Sequence, residues 1–168
     1  SQIVQPWLDQ LSEQIGQSCS VALLDETEIV YIARAAQKRV MSIGLMPGSR
    51  LPAHCTSMGR VLLAALPREE ADLLVRRSDL TPRTKFSILD PVLTLCRIDA
   101  AREDGYAFVD QEVETGLRSI AVPLNDRKGL TVAALNIGLS SAGWTPKQTI
   151  ETYLPHLLGV QSALGRVL

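Results

Sequence analysis

The sequence predicts an α+β domain in which helices pack over a six-stranded, mainly antiparallel sheet. Apolar side chains recur with helical and then strand periodicity in the order helix, three strands, helices, three strands, helix. The predicted strands are grouped in hairpins, whereas a parallel α/β fold would alternate single strands with helices. With 168 residues, of which 46% are hydrophobic, the chain can close one sizeable core. We therefore expect a single compact domain.

The first half of the chain is expected to hold a leading helix, three strands and two further helices. Residues 3–16 have apolar side chains at helical spacing and end at a glycine. Two β-branched and apolar runs within 19–36 flank a polar turn and predict a hairpin. A third strand is expected at 40–45, ahead of a turn that contains proline and glycine. Helices then follow over roughly 56–66 and from Pro67 onward.

The second half is expected to hold two helices with three strands between them. A polar stretch with two prolines over 78–91 predicts a surface loop, and a helix follows near 92–104. A last helix is expected from Thr145 to the end of the chain, because threonine followed by proline is a frequent helix start. The runs between these helices predict three strands with the sequences YAFVDQEVE, LRSIAVPLN and LTVAALNIG.

The overall composition excludes several classes of function. Lys and Arg number 17 against 18 Asp and Glu, with no long run of either sign, so this chain alone has no electrostatic footprint for nucleic acid. The three cysteines show no C-x-x-C spacing, which argues against a disulfide framework or a zinc site. No apolar run approaches the ~18 residues of a membrane span, and no signal peptide is recognisable. We expect a cytoplasmic protein with no membrane segment, no metal and no cofactor.

The stretch LPAHCTSMGRVLLAALP, residues 51–67, places a polar cluster at the start of an apolar helix. One interpretation is a nucleophile, Cys55, with His54 as its base, but adjacent residues on an extended loop point to opposite sides. We therefore expect no catalytic residue and no enzyme. A second interpretation is a helix cap supplied by Thr56 or Ser57. A third adds to that cap a site for a carboxylate at the helix amides, with Gly59 allowing another group to come close.

The strand LRSIAVPLN carries the second polar cluster. Ser119 lies among small apolar neighbours on one face and could tune a pocket. Arg118 lies on the other face, where we expect it to pair with an acid such as Asp110, Glu112 or Glu114 and to hold the structure together.

The pairing of this strand with the next one depends on the turn between them. If the five-residue turn pairs Leu124 with Leu130, Arg118 lies opposite Asn136. Ser119 then lies opposite Leu135.

The two clusters together resemble the effector-binding domain of IclR-type bacterial transcription regulators. The resemblance spans the chain, and its most specific pieces are PGSRLPAH before a small-residue helix start and GLRSIAVP before the strand TVAALNIG. It implies a GAF-like fold, with 1–16 as a lead-in helix from an absent winged helix-turn-helix domain and 17–168 as the effector-binding domain. It also implies homodimers or homotetramers, and contact with operator DNA through the winged domain alone.

The resemblance also implies where an effector binds. In this family small carboxylate effectors sit over the amides at the helix start, which fall here on Ser57 and Met58. The full set of implied effector contacts is Thr56, Ser57, Met58, Ser119, Val109, Asp110, Ile43, Leu51 and Leu117. A keto-acid-binding member has an acidic residue at the position of Val109 and a cysteine at that of Ser119.

The less polar wall at Val109 suits an aromatic ring, and the subgroup that this chain resembles controls aromatic-acid catabolism. We therefore expect a hydroxybenzoate such as protocatechuate or 4-hydroxybenzoate as the effector, with β-ketoadipate as the alternative. Two other classes of function stay open at this stage, a Cys55-dependent enzyme and a purely structural dimerisation module.

Overall fold

The computed structural model describes residues 1–37 and 44–168. Within these ranges the chain forms five helices and six strands. The helices are α1 (Gln5–Ile15), α2 (Ser57–Ala64), α3 (Arg68–Arg77), α4 (Pro91–Asp104) and α5 (Pro146–Leu164). The strands are β1 (Ser18–Asp25), β2 (Glu28–Ala35), β3 (Arg50–Pro52), β4 (Ala107–Asp110), β5 (Leu117–Asn125) and β6 (Thr131–Ser140).

The strands form one sheet in the order β3, β2, β1, β6, β5, β4. Every neighbouring pair is antiparallel. The two halves of the chain meet at the centre of the sheet, where β1 pairs with β6 and Ser20 lies opposite Asn136. This architecture confirms the predicted α+β class with a six-stranded antiparallel sheet.

The two faces of the sheet are covered in different ways. On one face, α2 packs together with α3 and α4 over small side chains of the strands, namely Ala22, Ala107, Ala121 and Ala134. Because alanine carries a single methyl group, α2 can lie close to the sheet. On the other face, α1 and α5 pack over larger side chains, including Val21, Ile120, Val122, Leu135 and Ile137. None of the helices within the described ranges is long and apolar enough to cross a bilayer.

The helix ends agree closely with the sequence signals. Gly16 ends α1 with a φ of 68°, a left-handed conformation that favours glycine. Asp90 caps α4 by accepting a hydrogen bond from the Val92 amide. Thr145 caps α5 in a capping box with Gln148. Local capping chemistry therefore accounts for where these helices begin and end.

The third observed strand is a different stretch of the chain from the third predicted one. The expected strand at 40–45 falls mostly outside the described residues, and its last two residues, 44 and 45, belong to no strand. A strand that the sequence did not predict is β3, a stretch of three residues that contains a proline and gives little strand signal. Its pairing with β2, with Leu51 opposite Ile29, defines it as a strand.

The strand predicted over YAFVDQEVE is shorter than expected. Only Ala107–Asp110 is extended, because Gln111 has a φ of 64° and turns the chain away from the sheet. Gly116, with a φ of 89°, returns it into β5. Residues 111–116 therefore form a loop over the end of the sheet.

The predicted register between β5 and β6 is wrong. Asn125 pairs with Thr131, and a bulge next to it shifts the remaining pairs, so that Ser119 lies opposite Gly138 and Ala121 lies opposite Asn136. The turn is closed by Asp126, whose side chain accepts hydrogen bonds from the amides of residues 128 and 130. As a result Asn136 shares the α2 face of the sheet with Ser119, and the two side chains are joined by a hydrogen bond of 3.0 Å.

A second bulge changes which residues of β2 face α2. Val21 pairs with Ala33 and Ala22 pairs with Tyr31, so Ile32 has no opposite residue on β1. Strict alternation would put residues 31 and 34 on opposite faces. The extra residue places both Tyr31 and Arg34 on the α2 face.

Candidate functional site

A cavity between the first turn of α2 and the sheet is the strongest candidate for a binding site. Its lining residues are Ser18, Tyr31, Arg34, Leu45, Thr56, Ser57, Met58, Val109, Val113, Leu117, Ser119, Asn136 and Gly138. The cavity volume is about 60 Å³. Since about 10 to 15 Å³ holds one water molecule, the cavity has room for roughly four to six. Each water molecule takes up about 30 Å³ in the liquid, so the volume of these water molecules corresponds to that of one small organic molecule.

The start of α2 forms one side of the cavity. Thr56 is the N-cap, because its Oγ1 accepts a hydrogen bond of 3.2 Å from the Gly59 amide and in turn donates to the Pro52 carbonyl at 2.9 Å. This confirms the predicted cap and assigns it to Thr56. Among the described residues, no protein group accepts a hydrogen bond from the Ser57 or Met58 amide. These two donors carry the positive end of the helix dipole toward the cavity.

Gly59 fixes the position of this helix start. A Cβ at Gly59 would lie 2.0 Å from the carbonyl oxygen of Ala53. The group that the glycine admits is therefore the chain's own backbone, and the loop before α2 packs directly against the first turn. The two free amides are held in place before any ligand arrives.

Arg34 is the cationic side chain among the described lining residues. Its Nη1 donates a hydrogen bond of 3.0 Å to the hydroxyl of Ser20 on the neighbouring strand. Its Nε is buried and has no hydrogen-bond partner within the described part of the chain. A buried N–H of a guanidinium without an acceptor is costly, and a carboxylate is the acceptor that pairs best with it.

A chain of three polar side chains crosses the cavity floor. Asn136 donates through Nδ2 to the Ser119 hydroxyl at 3.0 Å, and Ser119 shares a further hydrogen bond with Ser57 on α2. The other end of the Asn136 amide, Oδ1, is buried and unpaired within the described residues. The cavity thus holds one unpaired cationic donor and one unpaired neutral acceptor.

The remaining walls are apolar. Met58, Val109 and Leu117 face the space, together with Val113 from the loop 111–116. Tyr31 lies at the Arg34 end, and burial raises the pKa of its hydroxyl to about 12, so the phenol stays neutral. A flat apolar ligand with one negative group matches this combination of walls and donors.

Six of the nine residues expected to contact an effector line the cavity, namely Thr56, Ser57, Met58, Val109, Leu117 and Ser119. Leu51 does not, since it packs within the apolar cluster between α2 and the sheet. Asp110 points elsewhere and accepts a hydrogen bond of 2.8 Å from Arg118, the ion pair that the sequence predicted for Arg118. Ile43 lies outside the described residues.

Cys55 and His54 do not form a nucleophile and base pair. The His54 ring contacts the carbonyl of Asp79 through Nε2 at 3.1 Å, and the Cys55 sulfur is 4.0 Å from the Pro52 carbonyl. Burial raises the pKa of the Cys55 thiol to about 11, so it is protonated near neutral pH. The described part of the chain also contains no group of three or more metal-ligating side chains.

A buried arginine on α2, Arg60, stabilises one wall of the cavity from outside. Arg60 on α2 makes a bidentate ion pair with Glu112, with distances of 2.9 and 2.6 Å, and its Nε donates to the His54 carbonyl at 2.9 Å. Because Glu112 belongs to the loop that carries Val113, the pair ties one wall of the cavity to α2.

Sequence reasoning missed Arg34 and Asn136. Both side chains reach the cavity because a bulge in each hairpin shifts the alternation of the strand that carries them. The sequence does show a polar residue inside each apolar strand, which could have marked Arg34 and Asn136 as candidates. No pattern in the sequence predicts the bulge that turns each side chain toward the cavity.

Comparison with known proteins places this chain in one family. Residues 1–164 match the model of the family described as bacterial transcriptional regulator IclR C-terminal. The Pca regulon regulatory protein of Pseudomonas putida is 42% identical over 161 residues, which are 95% of this chain and 55% of that protein. The p-hydroxybenzoate hydroxylase transcriptional activator of Acinetobacter baylyi is 36% identical over 167 residues, 96% of this chain and 62% of that protein.

A solved structure resembles the chain over almost all of its length. It is a double mutant of the inducer-binding domain of the PobR transcription factor from Acinetobacter, in complex with 3-hydroxybenzoic acid. The two chains are 34% identical, with a TM-score of 0.91, and the match covers 99% of this chain and 98% of the other. In contrast, the chain spans little more than half the length of the two curated relatives.

Proposed function

Because the chain belongs to the IclR family of bacterial transcriptional regulators and matches their carboxyl-terminal domain, we propose that its cavity senses a small aromatic acid. The effector class is a hydroxybenzoate such as protocatechuate or 4-hydroxybenzoate. Two relatives support this class, since one is named as the activator of p-hydroxybenzoate hydroxylase and the matching double mutant of the PobR domain was solved with 3-hydroxybenzoic acid.

The observation that carries the proposal is the unpaired buried Nε of Arg34 at one end of an apolar cavity. A carboxylate there would pair with the guanidinium by a charge-assisted hydrogen bond. The free amides of Ser57 and Met58 add a second set of donors on the α2 side. The aromatic ring would then lie against Val109 and Leu117.

The same features favour a monocarboxylic aromatic acid over β-ketoadipate, which carries two carboxylates. Arg34 is the one cation among the described lining residues, so a second carboxylate would have no charged partner and only uncharged donors, the amides at the start of α2 among them. The balance of charge in the cavity thus matches one acid group.

The rest of the mechanism requires parts beyond this chain. In our proposal residues 1–16 lead in from a winged helix-turn-helix domain that contacts operator DNA, and residues 17–168 form the sensor of a homodimer or homotetramer. Effector binding would favour one arrangement of the oligomer, since a ligand with equal affinity for both arrangements shifts nothing. A coupling of ~1 to 3 kcal/mol would change operator affinity ~5 to 150-fold.

The proposal also assigns the chain to a sensor rather than an enzyme. The raised pKa of Cys55, caused by burial, and the orientation of His54 toward Asp79 both argue against covalent catalysis at the helix start. A transcription regulator would work in the cytoplasm, and the free thiols of Cys19, Cys55 and Cys96 suit a reducing compartment.

Calorimetric titration of the purified chain tests the proposal. We expect 4-hydroxybenzoate or protocatechuate to bind, and β-ketoadipate to bind more weakly. Arg34→Met should weaken the binding of these acids ~10 to 150-fold, the equivalent of a charge-assisted hydrogen bond. Arg50→Met is the matched control, because Arg50 lies on the adjacent strand β3 and pairs on the surface with Glu28.

Two results would overturn the sensor assignment. One is that none of the acids binds the wild-type chain. The other is recovery of a chemically converted acid after prolonged incubation with the wild-type chain and not with Cys55→Ser.

A further inference from the structure

We propose that Asn136 selects the effector by accepting a hydrogen bond from a hydroxyl group on its ring. This inference rests on the proposed function and adds a specificity residue to it. It concerns the end of the cavity away from the carboxylate, where the amide oxygen of Asn136 is buried and has no partner within the described residues. In native structures buried side-chain acceptors are normally paired, so an unpaired one at a cavity wall is available to a ligand.

The hydrogen bonds of the neighbouring side chains single out Asn136. Ser119 accepts from Asn136 Nδ2 and shares a second bond with Ser57, so its hydroxyl is already paired on two sides. In this arrangement the Asn136 amide directs Nδ2 toward Ser119 and leaves Oδ1 unpaired within the described residues. Within this chain of three side chains, the polar atom left without a partner among the described residues is the oxygen of Asn136.

The chemistry of the unpaired atom defines its ligand. A carbonyl oxygen of an amide accepts hydrogen bonds and repels a carboxylate. A phenolic hydroxyl donates to it, and because a hydroxyl can also accept, it would still pair if the amide turned over. An unsubstituted ring would leave the oxygen buried and unpaired, which disfavours binding.

The sheet places Asn136 and Arg34 at a spacing that one ring can bridge. Both residues lie directly opposite Ser20 on β1, Arg34 from β2 and Asn136 from β6. Their backbones are thus two strand spacings apart, about 9 to 10 Å. Arg34 and Asn136 extend from the two sides of β1 into the same cavity, so a carboxylate at one and a ring hydroxyl at the other need a single small molecule between them.

The test compares ligands that differ by one hydroxyl group. Benzoate, 3-hydroxybenzoate and 4-hydroxybenzoate are titrated into the wild-type chain and into Asn136→Leu, which keeps the size of the side chain and removes its polar atoms. We expect at least one hydroxybenzoate to bind the wild type about tenfold more tightly than benzoate. In Asn136→Leu that ratio should fall to about one. The ratio cancels any general effect of the substitution on the cavity.

The controls separate this inference from the proposed function. Asn125→Leu alters an asparagine at the far end of β5, where it bonds with Thr131, and should retain the tenfold ratio. If Asn136→Leu does not fold, Asn136→Ala is measured in the same way with the same expected loss of the ratio. Equal binding of benzoate and both hydroxybenzoates to the wild type would overturn the inference while leaving the acid sensor intact. A ratio that survives in the Asn136 variants would overturn it as well. Failure of benzoate and both hydroxybenzoates to bind the wild type would remove the proposed function itself.

Discussion

Arg34 and Arg60 both lie on the α2 side of the sheet, yet their surroundings differ in one decisive respect. Arg60 is 2% exposed, and its guanidinium donates to both oxygens of Glu112 and to the His54 carbonyl. Arg34 donates to the Ser20 hydroxyl and keeps a buried N–H without a partner within the described residues. A buried guanidinium whose three nitrogens all have partners, as in Arg60, holds the fold together. A half-buried guanidinium with a buried, unpaired N–H, as in Arg34, is available to a ligand.

The role proposed for Arg34 depends on Arg60. The pair of Arg60 with Glu112 fixes the loop 111–116, from which Val113 reaches the cavity. The structural arginine therefore shapes the space in which Arg34 can meet a carboxylate. Substitutions that remove the partner of one arginine, or give the other a permanent partner, should separate the structural role of Arg60 from the proposed binding role of Arg34.

The largest effect is expected from Arg60→Met. This change leaves the Glu112 carboxylate buried and unpaired, so the free energy of unfolding should fall by about 3 to 5 kcal/mol in a urea titration. The double variant Arg60→Met with Glu112→Leu removes both charges and should recover most of that loss. A single variant that loses less than about 1 kcal/mol would show that the pair is not a structural element.

A smaller effect is expected when Arg34 is given a permanent partner. Ser20→Asp places a carboxylate beside the guanidinium, which would make Arg34 resemble Arg60 and compete with an acid ligand. Calorimetry should show 4-hydroxybenzoate affinity lowered by at least about tenfold. Ser20→Asn has the same size without the charge and should reduce affinity much less. Equal losses in the two variants would mean that size, and not charge, explains the result.

The smallest effect concerns pH. Burial, and after it the positive charges of Arg60 and Arg83, lower the pKa of His54, while its contact with the Asp79 carbonyl raises it. Because the folded pKa is below the unfolded one, the unfolded chain binds a proton first as the pH falls. The stability contributed by neutral His54 is thus complete above about pH 6.5 and is lost as the pH falls through the folded pKa.

Unfolding titrations of the wild type and of His54→Gln between pH 7.5 and 5 would measure this contribution, with both series run at about the same ionic strength. The wild type should lose more stability than the variant over that range. Parallel curves would contradict the assigned direction of the shift.

The sequence predicts the parts of this molecule that depend on local chemistry. The cap at Thr56, the left-handed glycine at Gly16 and the ion pair of Arg118 with an acid all follow from residue types and short spacing. The fold class follows from the order of hairpins and helices. Six of the nine contact residues that the family resemblance implied line the cavity.

The parts that sequence reasoning missed depend on pairing between strands. Arg34 and Asn136 reach the cavity through bulges, and a bulge of one residue exchanges the two faces of a strand. Asp110 and Leu51 were expected in the cavity, but an ion pair and the apolar core hold them elsewhere. The three residues of β3 form a strand because they pair with the edge of β2, and no local sequence pattern predicts that pairing.

The pairing of β1 with β6 has a consequence for how the binding site comes into being. Ser20 and Asn136 are neighbours across that pair although more than a hundred positions separate them along the chain. Loop closure over such a separation is slow, since its entropy is lost before the contacts form. The cavity has residues on both sides of the β1 and β6 pair. It is therefore complete only after the first and last strands of the chain have paired. We therefore expect an acid effector to leave the refolding rate unchanged and to slow unfolding, a difference that stopped-flow denaturant jumps with and without 4-hydroxybenzoate can measure.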